Sequence, residues 1–104
     1  MRVFISQPMR DKTDKEIKEE REDIIDIIKS KYGEDVEIID SFLEGVPHEA
    51  KPLYYLGESF KLLSTADLAV FANGWNKARG CMMEHRACLE YGIETLCSNA
   101  EALS

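Results

Sequence analysis

The chain has 104 residues, enough for one compact domain over residues 1–104 but not for two. Apolar residues make up 44%, a globular level, and 20 acidic against 13 basic residues leave a net charge of −7. That balance argues against a protein that grips a nucleic acid polymer through a basic stripe, yet it leaves room for a small anionic ligand held by a few local donors.

The first element is "RVFIS", residues 2–6, an apolar run suited to a buried strand. The loop "QPMRDK" follows. Thr13 or Asp14 then caps a helix, and Thr13 with Glu16 has capping-box spacing. Ile17, Arg21, Ile24, Ile25, Ile28 and Tyr32 recur with helical period opposite the charged Lys15, Lys18, Glu19, Glu22 and Lys29, and Gly33 is placed to end the helix. "VEII", residues 36–39, is the second strand. A long stretch, "DSFLEGVPHEAKP", is kept irregular by Pro47 and Pro52, and connections of this length are often functional. Residues 53–64 predict a second helix with Leu53, Leu56, Phe60 and Leu63 on one side. "LAVF", residues 68–71, is a third strand buried on both faces. The glycine-bearing loop "NGWNKARG" leads to a third helix over about residues 81–91, closed by Gly92. Residues 93–97 form a fourth strand, and the last residues add a short helical turn.

Three strand–helix units and a final strand predict an α/β fold. It is a flavodoxin-like or Rossmann-like three-layer sandwich around a parallel sheet of about four strands. In such sheets ligands bind beyond the carboxyl ends of the strands, where strand order reverses. That rule selects the loops at 7–12, 40–52 and 73–80. No apolar run approaches the ~20 residues that span a bilayer, so no membrane partner is expected. Three cysteines without a CxxC pair, and no leader before the first strand, point to reduced thiols and a cytoplasmic setting.

In the first loop, Ser6 offers a hydroxyl and Arg10 a planar fork for a phosphate or carboxylate; the plainer reading is a turn built by Pro8. In the third loop, Gly74 and Gly80 permit unusual backbone. Trp75 either stacks on a planar ligand or covers the core, and Arg79 is a second anion partner. Glu84 lies about a turn into the third helix. It is either a carboxylate that attacks or stabilises a sugar carbon, or an acid that complements the helix dipole. Cys81, His85 and Cys88 share a helical face, but with no fourth ligand elsewhere they read as packing rather than metal binding. His48 is a candidate general acid or a plain loop residue. Asp40 and Asp67 could face the crevice, and Tyr54 or Tyr55 could cover a ligand. No metal and no cofactor is expected.

The opening "VFISQPM" and the segment "ADLAVFANGWNKARGCMMEHRACLEYGI" resemble the nucleoside 2-deoxyribosyltransferase superfamily, and in element order the resemblance covers nearly the whole chain. It implies that Glu84 matches the family's nucleophile. It also implies that Ser6, Gln7, Pro8, Met9 and Arg10 match the loop that receives the 5′-phosphate in related deoxynucleoside 5′-monophosphate N-glycosidases. Gly74, Trp75, Arg79 and Gly80 would complete the substrate site. The implied activity is cleavage or transfer at an N-glycosidic bond, on a small nucleoside or nucleotide, by a homo-oligomer (a dimer or larger). Many members carry a first-strand tyrosine that hydrogen-bonds the glutamate where this chain has Phe4. They carry an aspartate that helps protonate the leaving base where it has Ser59, beside Glu58. A non-catalytic nucleotide-binding module of the same fold is the alternative. The short chain and the apolar "CMM" independently favour self-association.

Overall fold

A computed structural model describes residues 1–40 and 51–97. Four strands, β1 (Arg2–Ser6), β2 (Glu37–Ile38), β3 (Leu68–Phe71) and β4 (Glu94–Cys97), form one all-parallel sheet in the order β2-β1-β3-β4. Three helices connect them: α1 (Asp14–Tyr32), α2 (Pro52–Leu63) and α3 (Arg79–Tyr91). This is the expected α/β architecture, compatible with a three-layer flavodoxin-like or Rossmann-like fold.

The strand period of two divides the core between the faces. Val3, Ile5, Leu68 and Val70 point to one side and pack with Ile24 and Ile28 of α1. Phe4, Ala69 and Phe71 point to the other and pack with Leu63 of α2 and Cys88 of α3. By this alternation Ser6, two residues after Phe4, also faces the α3 side.

α1 begins where its capping box predicts. Thr13 Oγ1 accepts from the Glu16 N–H, and Glu16 Oε1 accepts from the Thr13 N–H. Ile17, Ile24 and Ile28 are buried, while Ile25 and Tyr32 are partly buried against the core. Arg21 interrupts this apolar stripe because it works at the sheet edge, where its Nη2 donates to the Ile39 carbonyl at 2.7 Å.

Several boundaries differ from the sequence expectation. β2 is two residues long rather than four, pairing through Glu37 and Ile38 as an edge strand. α3 starts at Arg79 rather than residue 81, so Gly80 lies inside its first turn instead of in the loop. A 3-10 turn, Trp75–Lys77, occupies part of that loop. Leu53, expected on the core side of α2, is 72% exposed, and Leu63 is the residue of that helix that is buried. No helix among the described residues is long and apolar enough to cross a membrane. His48 and the terminal helical turn lie outside the described residues.

Candidate active site

β1 and β3 are neighbours at the centre of the sheet, and the chain leaves them towards opposite edges, β1 towards β2 and β3 towards β4. Their outgoing loops must separate there, and a cleft of about 730 Å3 opens between them. Its size falls in the range of small-molecule sites.

Phe4 and Ser6 form the floor from β1, with Cys81 and Glu84 beside them from α3. One wall is the 7–11 loop. The facing wall is Pro52, Tyr55, Leu56 and Ser59, which recur at i, i+3, i+4 and i+7 along one face of α2. Gly74 and residues 77–80 close the third side.

Glu84 is 6% exposed, and its Oε1 accepts a hydrogen bond of 2.9 Å from Ser6 Oγ. It sits in the second turn of α3, beyond the first-turn positions where an acid complements the dipole, so that role does not explain it. Burial raises its pKa to about 7, and the Ser6 hydroxyl partly opposes that rise by stabilising the charged form. The Cys81 thiol lines the same part of the cleft. Burial pushes its pKa up to about 11, so it stays a protonated, weakly nucleophilic thiol at neutral pH.

The mouth has the opposite character. Arg10, Lys77 and Arg79 are exposed, line the cleft, and make no ion pair among the described residues. α3 opens beside them with Ala78 as N-cap, which offers no side-chain acceptor. The first-turn N–H groups of Arg79, Gly80 and Cys81 are therefore open to an anion. Gly74 turns the chain into this corner at φ 86°, a conformation that L residues with a Cβ resist. Asp11, next to Arg10 in the cleft lining, holds φ 64° without being glycine.

The remaining candidates divide. Pro8 and Met9 line the cleft. Gln7 reaches it too, but its Nε2 donates to the Ile17 carbonyl at 3.0 Å and to Glu20 Oε1 at 3.1 Å, tying the loop to α1. Gly80 lines the cleft as a helix residue. A Cβ there would meet only Leu56 Cδ1 at 4.0 Å, so the position does not depend on glycine's freedom. Trp75 is not among the described lining residues. Its ring stacks on His85 at 4.2 Å and contacts Phe71 at 5.7 Å, which is the core-covering role. His85 is thereby held against aromatic rings, and burial lowers its pKa. Cys88 is in the core, and no group of three or more His, Cys, Asp or Glu among the described residues is placed to hold a metal.

Asp67 lies at the other end of the sheet, where its Oδ2 accepts from the Arg2 N–H at 2.7 Å. Asp40 stands near Arg21 rather than among the described lining residues. Glu58 pairs with Lys61 at 3.0 Å, while Ser59 faces the cleft. Of the two tyrosines, Tyr55 lines the site and Tyr54 is exposed. The sequence does not mark Lys77, Pro52 and Leu56 as site residues. The stripe along α2 was the available signal for the last two.

No family model, curated protein or solved structure matches the chain.

Proposed function

We propose that this protein binds a nucleoside 5′-monophosphate or a close relative and cleaves or transfers at its N-glycosidic bond, as the resemblance to the nucleoside 2-deoxyribosyltransferase superfamily implies. The observation that carries the reading is Glu84. It is a buried carboxyl group, held by Ser6 at one oxygen, at the inner end of a switch-point cleft with Arg10, Lys77 and Arg79 at its mouth. Buried ionisable groups in clefts mark functional sites.

In this reading the phosphate sits at the N-terminus of α3 among Arg10, Lys77 and Arg79. The base lies along Pro52, Tyr55 and Leu56, and C1′ comes to Glu84. With Oε1 fixed by Ser6, the other oxygen is left to attack C1′ or to stabilise the oxocarbenium-like transition state. Ser6 supplies from two residues further along β1 the hydroxyl that Phe4 lacks. Attack requires the ionised carboxylate, so kcat/KM rises with pH through about 7 in the free enzyme. Self-association as a dimer or larger fits the exposed Leu53, Tyr54, Met82, Met83 and Leu89 on α2 and α3. A cytoplasmic setting, with no polymer or membrane as partner, belongs to the same proposal.

The test is release of free base from deoxynucleosides and their 5′-monophosphates. Release that survives Glu84→Ala sinks the assignment, and a bound monophosphate should bring C1′ within about 3–3.5 Å of Glu84. The second reading, a non-catalytic nucleotide-binding module, is favoured by Ser59 standing in the cleft while Glu58 is occupied by Lys61. It predicts saturable binding without product.

A further inference from the structure

Glu84 and the mouth of the cleft form an unbalanced pair. The carboxyl group is almost wholly buried, and among the described residues its hydrogen-bond partner is a neutral hydroxyl. Cys81 and Cys88, the titratable groups among the described residues that feel the Glu84 charge, are protonated thiols at neutral pH and bring no positive charge. Lys12 and Glu20, which do act on Cys81, pair with each other at 3.5 Å. Arg10, Lys77 and Arg79 stay at the rim, exposed, and among the described residues none makes an ion pair, with Glu84 or any other carboxylate. A buried carboxylate without a cation is unfavourable unless the positive charge arrives with the ligand. The exposed cations call for a negative charge on the same ligand.

We propose that the cleft prefers a zwitterionic ligand: a sugar 5′-phosphate bearing a cationic, N-linked aromatic ring, such as a pyridinium or an N7-alkylated purine. This rests on the N-glycosidic reading above and names its substrate class. The phosphate meets the rim, and the positive ring and C1′ meet Glu84.

The chemistry of the α2 wall agrees. A neutral purine or pyrimidine leaves readily only if an acid protonates it, worth 10²–10⁴-fold in typical cases. The described α2 wall presents Tyr55 and Ser59 to the cleft, with the Glu58 carboxylate engaged by Lys61. A cationic ring needs no such proton. When Glu84 attacks C1′, the C1′–N bond breaks and its electron pair neutralises the ring nitrogen, so the base departs uncharged. Water then attacks C1′, the ester bond breaks with its pair returning to Glu84, and the water's proton passes to the carboxylate and on to solvent. The sum is cationic N-glycoside plus water giving free sugar phosphate, neutral base and one proton.

The test compares matched pairs that differ in ring charge. Nicotinamide mononucleotide is set against its neutral 1,4-dihydro form, and 7-methylguanosine 5′-monophosphate against guanosine 5′-monophosphate. Calorimetry measures binding and chromatography measures free base, at pH 7.5. We expect each cationic member to bind about tenfold tighter or more, since a charge pair at a partly buried site reaches that size. The preference should collapse in Glu84→Gln, and base release should be confined to the cationic members. Equal affinity within both pairs, or a preference that Glu84→Gln leaves intact, overturns the proposal. Ordinary deoxynucleoside monophosphates cleaved as fast as the cationic compounds overturn it while leaving the N-glycosidase reading standing. Binding and cleavage of none of these compounds overturns both.

Discussion

Replacing Glu84 by glutamine should stabilise the protein at pH 8 and change it little at pH 5. The side chain keeps its shape, and the new amide carbonyl can still accept the Ser6 hydrogen bond. What disappears is a titration. In the unfolded chain Glu84 ionises near 4.5, but in the folded protein only near 7. Below 4.5 it is neutral in both states and contributes no difference. Between 4.5 and 7 the unfolded chain releases the proton while the folded chain retains it, so stability falls as pH rises and levels off above 7. At 1.36 kcal/mol per pKa unit, the full shift is worth about 3 kcal/mol. By pH 5 less than about 1 kcal/mol of it has developed. Urea denaturation of both proteins at pH 5 and pH 8 isolates this group, because every other carboxylate titrates alike in the two. A gap opening by 2–3 kcal/mol between the two pH values is the expected result, or roughly 10 °C or more in Tm. A gap that is the same at both pH values would refute the reasoning, since Glu84 would then ionise as easily folded as unfolded.

Other outcomes follow from single contacts. Ser6→Ala removes the donor that favours the charged carboxylate, so the Glu84 titration, read by carboxyl NMR, should move above 7 by about one unit. Thr13→Ala removes half of the capping box and should destabilise by about 1 kcal/mol in denaturant titrations. Cys81 and Cys88 are buried with raised pKa, so iodoacetamide at pH 7.5 should leave both unmodified until denaturant is added, as mass spectrometry would show.

The elements that sequence reveals best are those whose own pattern decides them. β1 and β3 are continuous apolar runs and appear with the expected bounds, and α1 carries its start signal in Thr13 and Glu16. Patterns fail where neighbours decide. "VEII" has the composition for four paired residues, but an edge strand pairs only as far as its one neighbour allows, and two residues do so. Gly80 looks like loop punctuation, yet a glycine fits the first turn of α3 at little penalty. Leu53 has helical spacing with the core-facing residues, but it sits in the first turn of α2, ten residues before the buried Leu63, and is exposed. The cleft's position follows from the order of elements, which is why the 7–12 loop, Gly74 and Arg79 are legible in the sequence. Which side chains turn into it does not follow. Gln7 is taken by α1, Trp75 by His85, and the contact between Ser6 and Glu84 joins residues 78 apart in sequence.

The central ladder has a consequence for biosynthesis. Val3 pairs with Leu68 and Ser6 with Phe71, so β1 waits for its main partner until roughly two thirds of the chain has been made. Until then its other neighbour offers two residues of pairing, and α1 displays Ile17, Ile24 and Ile28 to water. Closing so long a loop makes the final collapse slow relative to a helical bundle, and it leaves a nascent chain that ends before β3 prone to aggregate. The same closure brings Ser6 to Glu84. Truncated chains that stop short of α3 should therefore have no partly working cleft: they lack the carboxyl group, and the strand that holds it is set in place by its pairing with β3.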